Sequence, residues 1–152
     1  VNERQKRLMF GRVLEHFGGD VTGKHIAIWG LAFKPRTDDM REAPSVVLIE
    51  RLLASGAKIS THDPEAMHEA KKIFGSRVGY HKVNYDALQD ADALVLVTEW
   101  NEFRRPDFER MKKLMKSPVI FDGRNVYEPQ HMEALGFTYY SMGRSTVRGK
   151  GA

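Results

Sequence analysis

Apolar positions along this chain recur at two alternating periods. Phe10, Val13, Leu14 and Phe17 repeat at the i, i+3, i+4, i+7 spacing with charges on the other face. That spacing predicts an amphipathic helix over 2–17, stopped by Gly18-Gly19. From His25 onward, short apolar runs of strand length alternate with helical patterns. Strands are predicted at 25–29, 58–62, 78–81, 93–98, 119–121 and 137–141. Helices are predicted at 44–55, 65–74, 108–116 and 130–135, with a helical turn at 85–89. Pro44 suits a first helical position, and Gly56, Gly75 and Gly136 suit helix ends. Helices between strands predict right-handed crossovers and a parallel sheet. The near-continuous apolar run Ala93–Val97 is what a strand covered on both faces requires. The fold class predicted is α/β, a Rossmann-like, doubly wound and mostly parallel sheet of about six strands preceded by one helix. Residues 144–152 (RSTVRGKGA) show no periodicity and are expected to be disordered.

Composition narrows the function more than the fold. The 152 residues suit one domain with a continuous core. No apolar run approaches bilayer length, and no leader pattern opens the chain. Cysteine is absent, which removes a thiol nucleophile and thiolate metal sites from this chain and fits a reducing, cytoplasmic compartment. The net charge of +4 comes from interleaved acids and bases, so a small anionic ligand is favoured over nucleic acid. The six histidines have no HxxxH or HExxH spacing, so no metal is expected. The basic stretch Arg104–Lys116 reads as a solvated face, and Trp29 and Trp100 read as packing residues. Without an initiating methionine, the chain is expected to be a processed form or a piece of something larger.

In a doubly wound sheet, ligands bind beyond the carboxyl ends of the strands, where strand order reverses. With order 3-2-1-4-5-6, strands one, four and five meet there. The segments that follow them are 30–35 (GLAFKP), 98–103 (TEWNEF) and 122–125 (DGRN). Each joins polar or cationic groups to a glycine or an aromatic, a combination suited to a flat ring carrying an anionic group. A dinucleotide fingerprint, G-x-G-x-x-G/A, is not met, because Gly30 is followed by Ala32 and Pro35. Asp38, Asp39 and Glu42 would also repel phosphate, so ordinary NAD binding is not expected in this turn. Asp63 stands where a ribose-binding acid would, and reads equally as a turn residue before Pro64. Lys34, held extended by Pro35, is an anion ligand or a solvated lysine. Arg124 offers a fork suited to phosphate or carboxylate, or an ion pair with Asp122 or Glu99. Arg41 reads as a local partner of Asp38 or Glu42.

The segment 30–45 (GLAFKPRTDDMREAPS), with 61–64 (THDP), 98–100 (TEW) and 121–125 (FDGRN), resembles the C-terminal domain of the UDP-glucose/GDP-mannose dehydrogenase family. The likeness spans nearly the whole chain apart from the tail. It implies three parts: residues 1–19 as the end of an interdomain helix, 20–143 as a UDP-sugar-binding domain, and 144–152 as a tail. It also implies Phe33, Lys34 and Arg124 as substrate-binding residues, and Arg41 as a contact to the NAD of a neighbouring subunit. In such enzymes an N-terminal domain holds NAD and, with the linker region, supplies a cysteine; the sugar C6 alcohol is oxidised to a carboxylate in two steps. By that likeness the parent uses UDP-glucose and NAD, forms a homodimer or higher oligomer, and this domain alone is not catalytic and holds no cofactor. UDP-N-acetylmannosamine or GDP-mannose remain open as substrates, as does a non-enzymatic interaction module.

Overall fold

The computed structural model describes residues 2–32, 34–41 and 43–149, with side chains from Arg7 onward. Phe33 therefore lies outside the described residues, as does Glu42. Six parallel strands form one sheet: β1 (His25–Trp29), β2 (Lys58–His62), β3 (Gly79–Tyr80), β4 (Ala93–Leu96), β5 (Val119–Asp122) and β6 (Thr138–Ser141). Their order is β3-β2-β1-β4-β5-β6, so the reversal lies between β1 and β4 as the doubly wound reading predicts.

Alternate residues of the central strands enter opposite cores. On one face Ile26, Ile28, Val95 and Phe121 pack with Met9 and Val13 of α1 (Asn2–His16) and with Leu48, Ile49 and Leu52 of α2 (Pro44–Ala54). Ala70 and Phe74 of α3 (Met67–Phe74) complete that layer. On the other face Trp29, Leu94, Leu96 and Ile120 meet Leu88 of a 3-10 turn (Asn84–Leu88) and Phe103 of α4 (Asn101–Arg104). Met111 of α5 (Phe108–Leu114) and Met132 of α6 (Pro129–Ala134) close it. All four residues of β4 are buried, which explains its unbroken apolar character.

Several boundaries move for local reasons. Helix α3 begins at Met67 rather than Glu65, because Asp63 Oδ1 accepts from the N–H groups of Glu65 and Ala66, each at 2.8 Å. Helix α4 is not predicted by periodicity. It forms because Phe103 is buried and stacks on Trp29, with centroids 4.9 Å apart. The stretch expected to be disordered is structured as far as Gly149. Val147 exchanges backbone hydrogen bonds with Tyr139 at 2.9 and 3.1 Å, covering the free edge of β6. Arg144 donates to Tyr127 O at 2.9 Å and to Ser141 Oγ at 3.0 Å.

Candidate functional site

The loops after β1, β4 and β5 converge at their carboxyl ends. Gly30 lies against Thr98 at φ +93°, and a Cβ there would fall 2.5 Å from the Thr98 backbone nitrogen. No other residue fits that crossing without moving the β4 end. Thr98 Oγ1 donates to Ala32 O at 2.6 Å, and Gly123 N donates to Leu96 O at 2.9 Å. The three segments thus share one rim, as strand order requires.

Two recesses open on this rim, and Glu99 borders both. One, of about 300 Å³, has an apolar wall of Met9, Leu48 and Met142 opposite Arg124 and Asn125. The other, of about 490 Å³, runs between Pro35-Arg36 and the Trp100–Arg104 segment. Glu99 accepts from Arg104 at 2.9 Å and from Arg124 at 3.2 Å, so a single carboxylate holds two guanidiniums. The indole Nε1 of Trp100 is shielded from solvent and has no hydrogen-bond partner among the described residues. Glu102 Oε1 lies 3.5 Å from Nε2 of buried His62, whose Nδ1 sits 2.8 Å from the His81 carbonyl. A carbonyl only accepts, so Nδ1 carries the proton there.

The turn after β1 shows whether a dinucleotide could sit in it. In a dinucleotide site the first N–H groups of this turn face pyrophosphate. Here Asp63 Oδ2 takes them, from Leu31 at 2.7 Å and Ala32 at 3.3 Å, while Oδ1 takes those of Glu65 and Ala66. The next helix starts only at Pro44. NAD does not fit this turn: its donors are spent and its wall carries a buried carboxylate. Asp63 is thus the turn residue of its two readings, a tie between two loops.

Asp122, also fully buried, organises the β5 end in the same way. Its Oδ1 accepts from Arg124 N at 2.9 Å, and its Oδ2 from Val126 N at 2.7 Å and Tyr139 Oη at 2.5 Å. Burial and the nearby carboxylate hold the Tyr139 phenol well above the usual tyrosine range. The result is a rigid pedestal for the Arg124 backbone.

Residues 27–129 match the model of the UDP-glucose/GDP-mannose dehydrogenase family, UDP binding domain. The chain belongs to this family. It is 47% identical over 148 residues to a UDP-glucose 6-dehydrogenase of Pseudomonas aeruginosa, covering 94% of this chain and 33% of that protein. It is 42% identical over 152 residues to a UDP-glucose 6-dehydrogenase of Bacillus subtilis, covering 100% of this chain and 34% of the relative. A solved UDP-glucose dehydrogenase from Pyrobaculum islandicum superposes with a TM-score of 0.73 at 33% identity, covering 83% of this chain and 27% of that one. The chain spans about a third of the length of the curated relatives it matches.

The residues that the family likeness points to are placed unequally. Arg124 lines the smaller recess and pairs with Glu99 rather than Asp122, one of its two charge-partner readings. Lys34 is exposed in the loop after β1. Arg41 is 89% exposed and forked onto Asp39, with Nε and Nη2 both donating at 3.0 Å. Its partner among the described residues is the local acid Asp39 rather than Asp38, and Glu42 lies outside them. That fork holds the Asp39 carboxyl at about 2, well below the usual aspartate value. Sequence spacing set Trp100 aside as packing, yet it borders the larger recess. The signal available was its place directly after a strand at the switch point. The fold also gathers Asp38, His68 and Glu69, whose candidate ligand atoms all lie within 4.8 Å of one another. Lys72 already pairs with Glu69 at 2.9 Å, and His68 with Asp38 at 3.1 Å. That trio is a solvated ion-pair patch.

Proposed function

We propose that this chain is the UDP-holding domain of a UDP-glucose 6-dehydrogenase, and that NAD and the reactive thiol belong to a second domain. The observation that carries the reading is the match of the UDP-binding model over 27–129, which takes in the β1, β4 and β5 ends together. Helix α1 is then the end of the helix joining the domains, and a homodimer or higher oligomer is the working assembly. Arg124 supplies a planar fork for diphosphate or sugar oxygen, Lys34 a point charge, and Phe33 an aromatic face. Arg41 reaches outward to the NAD of a neighbouring subunit once it leaves Asp39. The domain's contribution to catalysis is positioning, which can be worth several kcal/mol in the intact enzyme.

The test uses the full-length product of the gene. Lys34→Ala and Arg124→Ala are each expected to raise KM for UDP-glucose about tenfold or more, the loss of a charge-assisted hydrogen bond. An unchanged KM in both variants would overturn the reading in favour of an interaction module. Tighter binding of GDP-mannose than UDP-glucose would move the assignment to a different nucleotide sugar.

A further inference from the structure

Further along α1, that helix and the end of β6 enclose a recess of about 410 Å³ lined by Arg12, Glu15, His16, Tyr140, Thr146 and Arg148, none of which borders the two rim recesses. Arg12 donates from Nη1 to the Ser141 carbonyl. The Arg148 guanidinium lies 5.9 Å from the Tyr140 ring centre, with Nη1 3.4 Å from its hydroxyl. The same hydroxyl is 2.7 Å from His16 Nδ1. Arg148 can only donate, so the Tyr140 oxygen accepts from it, and His16 Nδ1 shares the same hydroxyl. Burial and the Arg148 charge both push the His16 pKa below the usual histidine value.

Two guanidiniums here bond only neutral oxygens. Among the described residues no carboxylate pairs with Arg12 or Arg148, although Glu15 is in the lining. Each guanidinium has five N–H donors, and the described bonds use one of each. The recess thus offers surplus donors and positive charge, beside the hydroxyl of Thr146.

We infer that this recess is a binding site for a phosphate-class oxyanion, separate from the rim at the ends of β1, β4 and β5. The anion takes the spare donors of Arg12 and Arg148 in charge-assisted hydrogen bonds. It also supplies the negative charge that lets His16 accept a proton, so occupancy and His16 protonation rise together. The inference stands independently of the nucleotide reading.

The probe is inorganic phosphate, followed by NMR titration of the histidine rings of this chain against chloride at equal ionic strength. Phosphate is expected to raise the His16 midpoint by about half a unit or more. Arg12→Gln and Arg148→Gln should each weaken phosphate binding about tenfold. Arg148 is exposed and Arg12 half-buried, and Arg148→Gln should leave UDP affinity as it was. Arg124→Gln should retain the phosphate effect on His16. A His16 shift that chloride reproduces overturns the site. So does one that survives both recess variants or disappears with Arg124→Gln.

Discussion

Glu99 holds Arg104 and Arg124 in one ion triad at the mouth of both rim recesses. Exposed pairs of this kind contribute about 0–1 kcal/mol, so a diphosphate can displace the carboxylate at small cost. Glu99→Gln should therefore tighten UDP binding, by up to about fivefold in low-salt calorimetry, with the gain shrinking as salt is added. Weaker binding in that variant would mean that Glu99 itself contacts the ligand. Gly30 sets a stricter limit. At φ +93° with Thr98 N 2.5 Å from an added Cβ, alanine meets both backbone strain and overlap with a strand end. Gly30→Ala should lower stability by about 2–4 kcal/mol in urea unfolding. Loss under 1 kcal/mol would show that the β1–β4 crossing can relax.

At the scale of elements, two buried aspartates tie the loops at the strand ends by taking up their backbone N–H groups. Asp63 ties the loop after β1 to the start of α3, and Asp122 ties the β5 end to β6. Among the described residues neither pairs with a cation; backbone N–H groups solvate Asp63, and backbone N–H groups with the Tyr139 phenol solvate Asp122. Asp63→Asn turns an amide –NH2 towards two of those N–H donors, and should destabilise by about 2–4 kcal/mol. Amide exchange should speed at Leu31, Ala32, Glu65 and Ala66 together. Tyr139→Phe removes one donor of several from Asp122 and should cost less, about 1–2 kcal/mol in the same unfolding measurement. It should also loosen Arg144, which donates to that hydroxyl at 3.0 Å.

For the whole molecule, acid is the destabilising direction. Burial lowers the pKa values of His16 and His25 below their ordinary 6.5, so the unfolded chain takes up these protons first. Stability is then complete above about pH 6.5 and falls as pH drops through that value towards the lowered folded values. Asp39 works in the same sense further down. Its stabilisation is present above 3.8 and lost as pH falls towards about 2. Thermal unfolding midpoints should decline from pH 7.5 to 5.5, with a shallower slope in His25→Gln. A flat profile over that interval would mean that neither imidazole is penalised by burial in the fold.

The six strands, their parallel arrangement and the reversal between β1 and β4 were legible in the residues alone, because periodicity is a property of neighbouring positions. Strands β1 and β2 begin and end where the apolar pattern does. The motif-bearing loops at the switch point follow from strand order by the same logic. Helix α4 was not legible: four residues carry no period, and its support is the stacking of Phe103 on Trp29 from a distant strand. The order of 144–149 depends on the β6 edge and on Tyr127, Tyr139 and Ser141, all outside that segment. Charge partners were legible only as alternatives. Arg124 chose Glu99 over Asp122, Arg41 chose Asp39, and Arg12 and Arg148 found no described carboxylate. Ion pairing depends on separation in space, set by how loops cross the sheet, while spacing along the chain records only which face a residue occupies. The sequence by itself determined the layers and the rim; the tertiary structure alone decided which charges on it are already taken.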